Sequence, residues 1–105
     1  MIEKTFTGER QYTEPVFAAT GRKFIYEIKE SVPAFSATVS LQRLLSDTDP
    51  TRPHDEDPRW ATVKEIAAGS ADVAGACDGG KAWYRLAILA GDYVSGEAVA
   101  RVTAG

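Results

Sequence analysis

The densest group of residues with the means to do chemistry lies in one stretch. Ser46 to Pro58 holds Asp47, Asp49, Asp55, Glu56 and Asp57 together with the only histidine, His54. Carboxylate oxygens are the ligands calcium takes. The calcium-loop pattern nevertheless fails, because no glycine stands at the sixth place from Asp47, and Pro50, Pro53 and Pro58 stiffen the chain at other points. The stretch therefore reads as a solvated acidic loop, with a weak cation site as the alternative. His54 has no second histidine beside it, and the lone Cys77 lies in another segment. Neither a zinc site nor a nucleophile–base pair follows from that. Cys77 reads as a small buried hydrophobe beside a turn. Gly79-Gly80 lacks the Gly-Lys-Ser/Thr that opens a helix in phosphate loops. No Asp or Glu sits inside an apolar strand pattern, where burial would raise its pKa for acid–base work. Trp60, Trp83, Tyr84 and Tyr93 suggest either a stacking platform for a sugar or base, or core and strand packing, which is the favoured reading. No catalytic residue, metal ligand or cofactor is assigned, and a non-enzyme is expected.

Composition bounds the rest. A chain of 105 residues makes a single domain, residues 1–105, with a core that needs no disulfide or metal. It is 44% hydrophobic and 26% charged, which is ordinary for a globular protein. A net charge of −3 and a pI near 5.1 argue against nucleic-acid binding through counterion release. One cysteine permits no intrachain disulfide, which fits folding in a reducing cytoplasm. The opening Met1-Ile2-Glu3-Lys4-Thr5-Phe6 has no apolar signal-peptide core, and the apolar run Leu86–Ala90 is too short to span a bilayer. No membrane partner is expected.

The elements that must position these residues read as short strands. Lys4–Thr7 alternates and ends at Gly8, as an edge strand would. Gln11–Ala19 contains Pro15, which removes a ladder donor and marks an edge or bulged strand. Arg22–Glu30 places Phe24, Tyr26 and Ile28 on one face, and Ser31-Val32-Pro33-Ala34 is expected to break it. Ser36–Leu45 alternates again, with Ala37, Val39 and Leu41 inward and Thr38, Ser40 and Gln42 outward. Ser46–Pro58, with five acidic side chains against one arginine for a net of −4, is expected to be a long exposed loop. In Trp60–Ile66 the spacing of Trp60, Val63 and Ile66 favours a helical turn, while Trp, Thr and Val favour a strand. The short length and the following Ala67-Ala68-Gly69-Ser70 tip it towards a strand with an irregularity. Ala71–Cys77 is a weak strand, and Asp78-Gly79-Gly80-Lys81 a turn.

The last third of the chain is expected to form a hairpin. Tyr84, Leu86 and Ile88 share one face of its first strand, and Ala98, Ala100 and Val102 one face of its second, across a Gly91/Asp92/Ser95 turn. That leaves Trp83, Arg85, Ala87 and Leu89 on the opposite face, where bare Trp83 and Leu89 would be costly. Either a second layer or a protein partner must cover them. Trp83, Leu89 and Tyr93 are therefore the candidate partner contacts. Seven or eight short strands at about ten-residue spacing define the fold class: an all-β, antiparallel, immunoglobulin-like β-sandwich.

Two resemblances start from these residues. Tyr84-Arg85-Leu86-Ala87 with Gly91 and Ser95-Gly96 resembles the late strands of fibronectin type III and other immunoglobulin-like sandwiches, with Tyr84 in the place of their corner tyrosine. Thr38-Val39-Ser40-Leu41-Gln42-Arg43, Trp60-Ala61-Thr62-Val63, Trp83-Tyr84-Arg85-Leu86, Gly91–Gly96 and Arg101 look like the small β-sandwich virion proteins of tailed bacteriophages. In that family a V-x-L-Q-R strand forms a hairpin with a T-W strand, and a Y-R-L…G…S-G-x-A…R hairpin closes the domain. The similarity spans residues 36–103, and residues 46–58 replace a tight turn. It implies a non-enzymatic role in head decoration, neck or head-fibre attachment, or the tail. The implied location is the virion, and the implied partners are capsid, neck or tail proteins and further copies of the chain in a symmetric assembly. A carbohydrate- or receptor-binding module using exposed aromatics is the alternative.

Overall fold

The computed structural model describes residues 2–44, 60–69, 71–78 and 80–105. The expected exposed loop at 46–58, with its acidic cluster and His54, lies outside the described residues. Eight strands account for most of the rest: β1 (Ile2–Phe6), β2 (Gln11–Tyr12), β3 (Val16–Ala18), β4 (Phe24–Leu44), β5 (Trp60–Ala68), β6 (Val73–Cys77), β7 (Ala82–Ile88) and β8 (Tyr93–Ala104). All pairings are antiparallel, and the eight strands belong to one sheet. The fold is the all-β, sandwich-like arrangement that the alternation implied.

β4 organises it. One flank of β4 pairs first with β6, over Phe24–Ile28, and then with β5, over Ala37–Leu44. The other flank pairs with β8 from Phe24 to Ala37 and then with β7 from Ser40 to Arg43. β1 lies outside β8, while β2 and β3 lie outside β7. A straight strand of 21 residues would span about 70 Å, yet the longest dimension of the molecule is 37 Å. The sheet must fold over on itself. The rings of Phe24 and Tyr84 stack at 5.6 Å, although the register partner of Tyr84 is Arg43, at the other end of β4. The first layer is thus β1, β8, β6 and the start of β4, and the second is β2, β3, β7, β5 and the end of β4.

Two expectations need correction here. Ser31–Ala34 does not end a strand: β4 runs through it, and the register slips at Glu30/Val32, Val32/Ser36 and Ser36/Ala37 instead. These slips change which residues face inward, from Phe24, Tyr26 and Ile28 to Phe35, Ala37, Val39 and Leu41. Side-chain bonds hold the crease, where Phe35 N–H donates to Glu30 Oε2 (2.8 Å) and Ser95 Oγ donates to Ala34 O (2.6 Å). Gly96 has a positive φ of 72°, and a Cβ there would lie 2.6 Å from the backbone of Phe35 and Val32. Only glycine fits. The second correction concerns β7 and β8, which form no hairpin. Both run antiparallel to β4 on the same flank, end to end, and the turn at Leu89–Asp92 bends the chain rather than reversing it. The long β4 explains this, because each flank needs two strands in succession to satisfy its backbone groups.

One core lies between the layers. Phe6, Phe24, Tyr26, Ile28, Ala98, Ala100 and Val102 come from the first, and Val39, Leu41, Ile66, Tyr84, Leu86 and Ile88 from the second. The inward sets read from the alternation of β4, β7 and β8 are all buried.

Candidate interaction surface

The outward side chains of the second layer are where the structure departs most from a plain half-buried sheet. Arg85 sits in the middle of β7, opposite Gln42 of β4, and is 4% exposed. Its Nε donates to Gln42 Oε1 at 2.8 Å. Its guanidinium carbon lies 4.2 Å from the ring centroid of Tyr12 and 4.4 Å from that of Trp60. A guanidinium between two aromatic faces is favourable by roughly 2 kcal/mol when desolvated, and its flat, weakly hydrated shape suits that slot better than a lysine would. Ser40, Gln42, Leu44, Trp60 and Ala87 are buried with it. Ser40 and Gln42 do point away from the core, as alternation required, but they are not solvated.

Trp60 reaches this cluster because of a bulge. β5 pairs Leu41 with Lys64 but Gln42 with Thr62, so Val63 is the extra residue. One inserted residue moves every side chain beyond it to the other face. Ile66 and Ala68 therefore face the core, whereas Trp60 turns outward towards Arg85. The three-residue spacing that mimicked a helical turn is the mark of this strand irregularity.

The three candidate contacts occupy different surroundings. Trp83 is half-buried on the outer face and meets its register partner Phe17 with ring centroids 5.3 Å apart. Phe17 is 39% exposed. Leu89 lies at the bend, about 20 Å further along, where its carbonyl accepts Asp92 N–H. Tyr93 packs against the core, and its hydroxyl donates to Gly96 O at 2.8 Å. Arg85 and Ala87, between Trp83 and Leu89, are already covered. Of the aromatics considered as a stacking platform, Tyr84 and Trp60 are buried and Tyr93 is half-buried against the core; Trp83 remains, half-buried beside the exposed Phe17. Tyr12, Gln42 and Arg85 were not singled out from the sequence. The available signal was a charged residue inside the otherwise apolar run from Ala82 to Ala90.

Electrostatics elsewhere are simple. The Tyr84 hydroxyl donates to Gly80 O at 2.8 Å. Burial pushes its pKa above the ordinary tyrosine value, Cys77 and Asp78 add to that, and Arg43 opposes it. Among the described residues, the buried Nε of Arg43 and Oγ of Ser40 have no hydrogen-bond partner. On the outer face of the first layer, Glu3, Arg101 and Glu27 are cross-strand neighbours, and a hydrogen bond to Glu3 raises the pKa of Arg101. Cys77 is half-buried. Among the described residues, no three His, Cys, Asp or Glu side chains gather as a metal site would require, and no helix is long and apolar enough to cross a membrane.

Comparison with models of known protein families, with curated proteins and with solved structures returned no match.

Proposed function

We propose that this chain is a non-enzymatic structural subunit of a bacteriophage virion, docking on the capsid surface or neck by protein–protein association. The observation that supports this reading most is the fate of the residues that carry the resemblance. Gln42 from the V-x-L-Q-R strand, Trp60 from the facing strand and Arg85 from Tyr84-Arg85-Leu86 meet in one buried cluster. Their polar groups hold strands together, so the shared motif is a device for building a domain. Association is then left to surface such as Phe17 and Trp83. On a particle, many modest contacts of that kind act together.

The test is to purify particles by density gradient from a host that carries the gene and count this chain by quantitative mass spectrometry. A fixed copy number relative to the major capsid protein is the expected result. Absence from intact particles overturns the reading. A carbohydrate-binding module would instead show a tryptophan fluorescence change with a glycan, abolished by Trp83→Ala.

A further inference from the structure

We propose that the outer edge of β6 is a docking lane for an extended peptide segment of a partner protein, with alternating apolar residues and a Lys or Arg at each end. Among the described residues, β6 is hydrogen-bonded to β4 alone, so the other side of Val73–Cys77 presents unpaired backbone groups. Sheet edges are ordinarily blunted by charges, proline, bulges or shortness, because a bare edge templates another strand. The other edges of this sheet follow that rule. β5 has its bulge at Val63 with Lys64 and Glu65 beside it, β1 has Glu3 and Lys4, and β2 and β3 are two and three residues long. Within its five residues β6 has no charge, proline or bulge. Its sequence is Val-Ala-Gly-Ala-Cys, and its register with β4 is unbroken from Ile28↔Val73 to Phe24↔Cys77.

The apolar surface is also incomplete along this edge. On the inner side Val73 and Cys77 pack against the core but remain half-buried. Gly75 contributes no side chain, because a Cβ there would lie 2.5 Å from the Tyr26 hydroxyl. On the outer side Ala74 and Ala76 are exposed, and Ile25, the register partner of Ala76, is 40% exposed. An added strand would cover apolar surface on both faces while its backbone completes the ladder.

Charge selects the occupant. Asp72 and Asp78, both exposed, bracket the strand six residues apart. A second copy pairing β6 with β6 antiparallel about Gly75 would set Asp72 against Asp78 of the other copy at both ends, and like charges directly opposed are unfavourable. A segment with cations at that spacing meets a carboxylate at each end. This inference stands apart from the virion reading, since peptide binding is measured without particles.

The experiment follows backbone amide hydrogen exchange in the full chain, titrated with a capped heptapeptide of alternating valine and threonine with lysine at both ends. The same peptide with glutamate at both ends is the comparison. Protection of outward amides within residues 73–77 by at least about tenfold is expected with the lysine peptide. The double variant Asp72→Lys, Asp78→Lys alters only exposed side chains, and it should shift preference towards the glutamate peptide by roughly two- to thirtyfold. Unchanged exchange at residues 73–77, equal protection by both peptides, or protection that rises with protein concentration alone would each overturn the proposal.

Discussion

The two layers of this sheet share one long strand, β4, and a single core, yet their outer faces are built on opposite principles. On the first layer, Glu3, Arg101, Glu27 and Lys29 lie in water, with Arg101 bridging to Glu3 and Glu27 and Lys29 3.4 Å from Glu27. On the second, Arg85 is buried between Tyr12 and Trp60 and bonded to Gln42. Each face carries an arginine within a strand paired to β4. One is a solvated charge among charges, where exposed pairs contribute little. The other is a structural insert whose removal leaves two rings and an amide without their partner. The same residue type on the same kind of strand therefore has a different role according to what stands over it.

Substitutions can break that contrast, and Arg85→Ala has the largest expected effect. Loss of the two ring contacts and the charge-assisted hydrogen bond should destabilise the fold by about 3 kcal/mol, read as a lower urea midpoint, with no rescue by Arg85→Lys. The crease between the layers comes next. Gly96→Ala forces a side chain into a positive φ and against the backbone of Phe35 and Val32. A loss of about 2 kcal/mol in chemical denaturation is expected.

Tyr84 lies between the layers and gives a smaller, pH-dependent effect. Its pKa is raised in the folded state, chiefly by burial. Folding therefore favours the neutral phenol. That contribution is fully present below the unfolded value of about 10 and is lost as pH rises through the folded pKa. Tyr84→Phe should cost about 1 kcal/mol at neutral pH through the lost bond to Gly80 O. It should also flatten the fall in urea midpoint between neutral pH and the alkaline range. The smallest effect is expected for Arg101→Ala, which should leave the midpoint unchanged within error and unfold no differently in high salt.

Much of this was legible from alternation alone. The inward sets Phe24/Tyr26/Ile28, Val39/Leu41, Tyr84/Leu86/Ile88 and Ala98/Ala100/Val102 follow from a period of two, and period is a local property. The bulge in β5 was legible as conflict, since Trp60, Val63 and Ile66 fitted neither pattern cleanly. What could not be read was anything set by distant pairing. A Gly-Asp turn between two apolar strands signals a hairpin, but here β7 and β8 each have β4 to pair with, and β4 is long enough to take both. Continuity of β4 through Pro33 was hidden for the same reason, because β8, which pairs with Val32 and Ser36 on either side, and not local propensity, carries the chain across it. The Arg85 site was the least legible. Tyr12, Gln42, Trp60 and Arg85 are scattered over 74 positions; alternation turns Gln42 and Arg85 outward, but Trp60 joins them only through the bulge at Val63. Trp83 and Leu89, expected to need cover on this face, are half-buried, and the covered centre between them is Arg85.

The most direct test of the contrast is the side-chain Nε–H signals of the two arginines in a nitrogen-15 correlation spectrum. Arg85 Hε should exchange slowly with water and be shifted upfield by the flanking rings, while Arg101 Hε exchanges fast near its unstructured position. Fast exchange and an unshifted resonance for Arg85 would contradict the account, placing both arginines in solvent and leaving the second layer without its buried centre.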